Sequence, residues 1–82
     1  MNKEETTDRI KNVIVSVLKH ENFEMRDELT ASDVDGWSSL THMMIINDIE
    51  TEFDIVFKLK ELNKLNNIGD LITLVISKVE QK

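Results

Sequence analysis

The segment Asp33-Val34-Asp35-Gly36-Trp37-Ser38-Ser39-Leu40 gathers the residues best suited to chemistry in this chain: two carboxylates, one of two glycines, the only tryptophan and two adjacent hydroxyls. A serine in the first turn of a helix lies near unpaired backbone N–H groups and the positive end of the helix dipole. A phosphate ester on such a hydroxyl is stabilised rather than repelled. Ser38 on its own reads as an ordinary N-cap, and Gly36 as the residue that permits the turn. Nucleophilic catalysis demands more, an aligned base and an acid that orients it. His42 follows Ser39 by three positions and Ser38 by four, so a hydrogen bond to a serine is open to it. An isolated histidine on a small helical domain otherwise reads as a partly exposed surface residue, and His20 has less to connect it to either hydroxyl. Asp33, Asp35 and Gly36 resemble the start of a calcium loop, but that pattern places glycine sixth and glutamate twelfth. Counted from Asp33, those places hold Ser38 and Met44.

The rest of the composition narrows the chemistry further. With 82 residues the chain makes one domain, 1–82, too short to enclose a deep cleft between two layers. A domain of this size buries only about 60% of the surface its unfolded chain exposes, and there is no cysteine to staple it or to act as a nucleophile. The net charge of −6 argues against a nucleic-acid partner. Most of that charge is concentrated: 21–54 holds ten acids and one base, Arg26, whereas both flanks are slightly basic. Such a segment reads either as a surface offered to basic partners or as a solvated acidic face. The longest apolar run, 43–46, has four residues, far short of a membrane span, and the polar start lacks the apolar core of a secretory leader. The expectation is a soluble, cytoplasmic monomer.

The elements that must position the serines follow from apolar spacing. Ile10, Val13, Ile14, Val17 and Leu18 mark one buried face of a first helix over about 3–20. A long loop leads to Trp37, with Phe23 and Leu29 expected to pin it to the core. A second helix spans 38–53 on the stripe Leu40, Met43, Ile46, Ile49 and Phe53, which Met44 and Ile45 widen. A buried connector at 54–57 turns Ile55 and Phe57 inward. A short third helix at 58–65 uses Leu59, Leu62 and Leu65. Asn66 or Asn67 caps a fourth helix, whose stripe runs from Ile68 through Leu71, Ile72, Val75 and Ile76 to Val79. The absence of proline and the two glycines agree with an all-α chain, three main helices and one short one.

Placed on this frame, the residues resemble an acyl carrier protein over nearly the whole chain. Gly36-Trp37-Ser38-Ser39-Leu40 is similar to the Gly-Trp-Asp-Ser-Leu form of the carrier motif, and Ile49-Glu50-Thr51-Glu52-Phe53 resembles the end of the family's second helix. The resemblance implies a four-helix bundle with a long loop between the first two helices. By position, Ser39 matches the serine that receives 4′-phosphopantetheine from coenzyme A through a separate phosphopantetheinyl transferase. The reactive sulfur then belongs to the prosthetic group, which accounts for a chain without cysteine. The implied function is to tether acyl intermediates as thioesters, with no catalysis by the carrier, in fatty acid, polyketide or a related specialised pathway. The implied partners are that transferase, an acyl-carrier synthetase or acyltransferase, and a ketosynthase or other acyl-processing enzyme with a basic patch. Asp33, Asp35, Asp48, Glu50 and Glu52 would meet those patches, and Leu40 and Met43 fit either apolar partner contacts or the core.

Two departures stand out. Ser38 occupies the place where the family usually has aspartate, which keeps an N-cap but removes a charge beside the attachment point. Met44 stands where carriers of fatty acid synthesis often present an acid, which points toward a dedicated pathway. The alternatives are a peptidyl or aminoacyl carrier, D-alanyl included, and an unmodified acidic helical adaptor. Trp37 before the serine pair favours the acyl type.

Overall fold

Four α-helices, α1 (Lys3–Leu18), α2 (Ser39–Phe53), α3 (Leu59–Leu62) and α4 (Ile68–Glu80), and one 3-10 turn (Ala31–Asp33) form the computed structural model, which describes residues 2–82. Asn2 starts α1 by accepting the Glu5 N–H at 2.7 Å, while Glu4 and Glu5 place negative charge at the positive end of the helix. The helix ends at Leu18, the last residue of the stripe and two short of the expected end. Lys19 adopts the left-handed conformation, φ 67°, and donates its N–H to the Val15 carbonyl at 2.8 Å.

The core lies where α1 packs against α2 and α4, and Ile10, Ile14, Ile45, Ile49 and Val75 are wholly inaccessible at its centre. The expected face of α2 holds at its C-terminal half, through Ile46, Ile49 and Phe53, and rotates at its N-terminal half. There Ile45 turns inward and Leu40 and Met43 stay in solvent, because their positions on the helix point away from α1 and α4. Ile55 and Phe57 in the connector are buried as expected. The connector is held by Glu50, whose carboxylate accepts the Phe57 N–H at 2.8 Å. The third helix is shorter than its leucine spacing implies: only four residues are helical, Leu59 is exposed, and Leu62 and Leu65 are half-buried against the core. Asn67, not Asn66, caps α4, accepting the Asp70 N–H at 2.9 Å.

The loop from α1 to α2 is pinned by Leu29 and Val34, both buried. Phe23, also expected to be a pin, is half-buried, packs against the core and lies edge-on to His20. Backbone bonds complete the anchorage. The Asp27 carbonyl accepts the Gly69 N–H at 2.9 Å, and the Leu29 carbonyl accepts the Ile68 N–H at 2.8 Å. Two of the N–H groups that the first turn of a helix leaves without partners are thus satisfied by the loop. This close approach explains Gly69: a Cβ there would come within 2.9 Å of Asp27 Cβ and 3.1 Å of its carbonyl oxygen. Gly69→Ala is expected to force the loop off α4 and to destabilise the protein by about 1–3 kcal/mol despite alanine's better helix propensity. Chemical denaturation of the two proteins measures the difference.

Candidate functional site

The chain approaches α2 through a turn at Gly36, whose φ of 83° suits glycine. Ser38 follows in extended conformation and caps the helix reciprocally with Thr41. The Thr41 hydroxyl oxygen accepts the Ser38 N–H at 2.7 Å and donates to the Gly36 carbonyl at 2.8 Å, while the Ser38 hydroxyl accepts the Thr41 N–H at 3.3 Å. Ser38 is therefore occupied by the helix start. Ser39 is the first helical residue, is exposed, and has no hydrogen bond to its hydroxyl among the described residues. The first turn of α2 carries no acid, unlike the first turns of α1 and α4. No acid within that turn offsets the positive end of the dipole beside Ser39.

Neither serine hydroxyl is the partner of the His42 ring. The His42 Nδ1 instead accepts the Trp37 indole N–H at 3.1 Å, with the rings 6.2 Å apart. His20 fastens the loop from the other side, its Nε2 lying within hydrogen-bond distance of the Asp35 carbonyl oxygen (2.6 Å) and its Nδ1 accepting the Asn22 N–H at 3.0 Å. Both histidines thus position the approach to Ser39, a role their isolated places in the sequence do not signal.

The acids of the central segment divide into engaged and open groups. Asp33 closes the 3-10 turn, its carboxylate accepting both the N–H and the hydroxyl of Thr30 at 3.0 Å. Glu50 holds the connector, and Glu52 pairs with Arg9 of α1 at 2.8 Å. Asp35 and Asp48 are exposed, with no side-chain bond among the described residues. Leu40, 73% exposed, follows Ser39, Met43, 57% exposed, shares the hollow beside it, and Met44 is exposed farther round α2. The structure therefore brings Met43 beside Ser39 along the open hollow, leaves Leu40 next to it in the chain, and sets Asp35 in the preceding loop and Asp48 farther along α2. It commits Asp33, Glu50 and Glu52 to contacts within the fold. No group of three or more His, Asp or Glu side chains among the described residues is arranged to hold a metal ion.

The hydrogen bonds from Thr30, the backbone N–H first and then the hydroxyl, hold the Asp33 carboxyl below its ordinary pKa of 3.8; Arg26 adds a smaller pull in the same direction. A depressed carboxylate contributes stability that is complete above its unfolded pKa and disappears as pH falls through the folded value. The Thr30 amide resonance is accordingly expected to titrate with a midpoint below 3.8, and Asp33→Asn to abolish that titration.

Two hollows adjoin the start of α2. One is open and runs beside Ser39 between Ser32, Trp37 and Met43. The other is a narrow cavity of about 90 Å³, largely apolar, between the loop and α4, with Leu29, Trp37, His42, Leu65, Ile68 and Leu71 among its walls. Beside the open hollow, the start of α2 displays the exposed hydroxyl of Ser39. No family model matches the chain. It is 33% identical over 73 residues to an acyl carrier protein of Streptococcus thermophilus (strain CNRZ 1066), a match covering 89% of this chain and 95% of the relative. The solution NMR structure of holo acyl carrier protein from Geobacter metallireducens superposes with a TM-score of 0.86 at 37% identity, over 93% of this chain and 87% of the other. The chain belongs to the acyl carrier protein family.

Proposed function

We propose that Ser39 is the attachment point of a 4′-phosphopantetheine arm and that the protein is a discrete acyl carrier for fatty acid, polyketide or a related specialised pathway in the cytoplasm. The observation that carries this reading is the exposed Ser39 hydroxyl, without a hydrogen bond among the described residues, at the first position of a helix whose first turn holds no acid. The residues present fit the group. The helix N-terminus favours the phosphodiester's charge. The open hollow along Ser32, Trp37 and Met43 gives the arm a surface to lie on. When attached, the arm supplies the thiol that carries acyl groups as thioesters.

The polypeptide's own tasks are then display and recognition. Ser38 and Thr41 fix the direction of α2, so Ser39 projects from a rigid element. Leu40 and Met43 offer apolar contacts beside it, and Asp35 and Asp48 offer negative charge to a basic patch on the transferase, an acyl-carrier synthetase or acyltransferase, or a ketosynthase. Asp33, Glu50 and Glu52 contribute to the field of that surface while holding its elements in place. Tethering raises the effective concentration of a bound intermediate near each partner, so the carrier needs no catalysis of its own. Intact mass after incubation of the apo protein with coenzyme A, magnesium and a broad-specificity phosphopantetheinyl transferase tests the reading. Uptake of one phosphopantetheine is expected, and no uptake refutes it.

A further inference from the structure

The connector and α3 differ in character from the acidic segment that precedes them. Ile55 and Phe57 are buried while Val56, 74% exposed, and Lys58 stand in solvent, the in-and-out alternation of extended chain. Leu59, 73% exposed, opens α3 beside the exposed Lys60, and Lys64 is exposed just beyond the helix. Neither Val56 nor Leu59 lines the hollows at the start of α2. The neighbouring acids are engaged within the molecule: Glu61 pairs with Lys78 at 2.9 Å and Asp54 with Lys82 at 3.5 Å. Lys58, Lys60 and Lys64, by contrast, make no ion pair among the described residues. Val56 also shares a shallow hollow with Lys78 and Lys82. A basic and apolar patch therefore stands on a chain whose net charge is −6.

We infer that the connector and α3 dock the protein on an anionic lipid bilayer, with Val56 and Leu59 entering the headgroup boundary and Lys58, Lys60 and Lys64 meeting the lipid phosphates. The residue types favour a lipid surface over a protein. Protein interfaces concentrate their binding in Trp, Tyr and Arg and are depleted in Lys, whereas lysines around aliphatic side chains suit a fluid, charged surface. A lysine stem lies along apolar surface while its ammonium stays among the headgroups. The overall negative charge does not prevent this contact. The molecule measures 33 × 25 × 21 Å, and at physiological ionic strength a charge is screened beyond about 8 Å, so lysines at the contact outweigh acids that lie farther from it. Each such lysine favours an anionic surface by about fivefold, and three do so by about a hundredfold. The surface needs no group at Ser39 and so stands apart from the carrier reading.

The test uses the full chain, free of any acyl group, sedimented with vesicles of phosphatidylcholine alone or of phosphatidylcholine mixed with phosphatidylglycerol. Binding is expected to favour the mixed vesicles by about a hundredfold and to fall as salt is raised. Lys60→Gln is expected to weaken it about fivefold, and the combined change Lys58→Gln, Lys60→Gln and Lys64→Gln to remove the preference. Leu59→Ala is expected to weaken it at least about fourfold, the worth of one buried methylene. These side chains are all exposed, so the melting curves of the variants are expected to match the parent's. Lys11→Gln, at a lysine of α1 that also lacks an ion pair among the described residues, is the control and is expected to bind as the parent does. No binding to the mixed vesicles, equal binding to both compositions, or variants at 58–64 that bind as the parent overturn the inference, as does equal weakening by Lys11→Gln. The competing occupant is an acidic protein surface, for which a second copy of this chain is the probe. Absence of vesicle binding, with a mass in sedimentation equilibrium that grows with concentration and reverts in Lys60→Gln, assigns the patch to protein and refutes the lipid surface.

Discussion

Ser39→Ala is expected to leave the fold and thermal midpoint nearly unchanged and to abolish phosphopantetheine uptake completely. The two halves of this result have separate causes. The Ser39 hydroxyl makes no hydrogen bond among the described residues, and alanine is the best helix former, so the bundle loses nothing. The transfer, by contrast, has no nucleophile once that oxygen is gone. Ser38→Ala is the informative counterpart, because its effects run the opposite way. It removes the acceptor of the Thr41 N–H and is expected to lower stability by about 0.5–2 kcal/mol while one phosphopantetheine is still gained. Intact mass and thermal denaturation of both variants separate a capping hydroxyl from a reacting one. Uptake that survives Ser39→Ala and is lost in Ser38→Ala would reverse the assignment.

Ile49→Ala is expected to cost about 2–5 kcal/mol, because a fully buried side chain is cut back where α2 meets the rest of the core. A chain of this length has about 4–12 kcal/mol in total, so the variant loses about a sixth of its stability or more. In a domain this small each kcal/mol lowers the midpoint by about 4–8 °C, which places the loss well within reach of a circular dichroism melt. Leu40→Ala, nine positions earlier on the same helix, is expected to change stability by no more than about 0.5 kcal/mol, since that side chain is 73% exposed. If its removal slows modification by the transferase while the melt stays put, Leu40 acts on the partner side of α2.

The contrast between Leu40 and Ile49 also marks how far the sequence is legible. Both lie on one run of three- and four-residue spacings, but three successive steps of three drift about 60° each, so Leu40 and Ile49 end on opposite faces of α2. What separates them is that drift: Ile49 faces the core and Leu40 faces solvent. The Ser38 cap, the inward turn of Ile55 and Phe57 and the order of the helices follow directly from residue type and local spacing, and the structure has them. The pairing of Glu50 with the Phe57 N–H and of Glu52 with Arg9 does not, because an acid on a helix looks the same whether it meets solvent or a backbone amide across a turn. The Trp37–His42 bond is hidden for a similar reason: a helical histidine has no spacing rule that announces an indole in the preceding loop. Val34 gave no periodic signal, yet it is buried while the larger Phe23 lies half outside.

The loop joined to α4 at Ile68 and Gly69 bears on how the molecule breathes. Those two amides depend on carbonyls some forty residues earlier in the chain, whereas the amides deeper in α4 depend on their own helix. The loop and the first turn of α4 therefore form one local opening unit, distinct from global unfolding. Hydrogen exchange at Ile68 and Gly69 should follow the excursions of the loop and not the melting of the bundle. Because the same seam walls the apolar cavity, the exchange rate of two backbone protons becomes a clock for how often that wall parts.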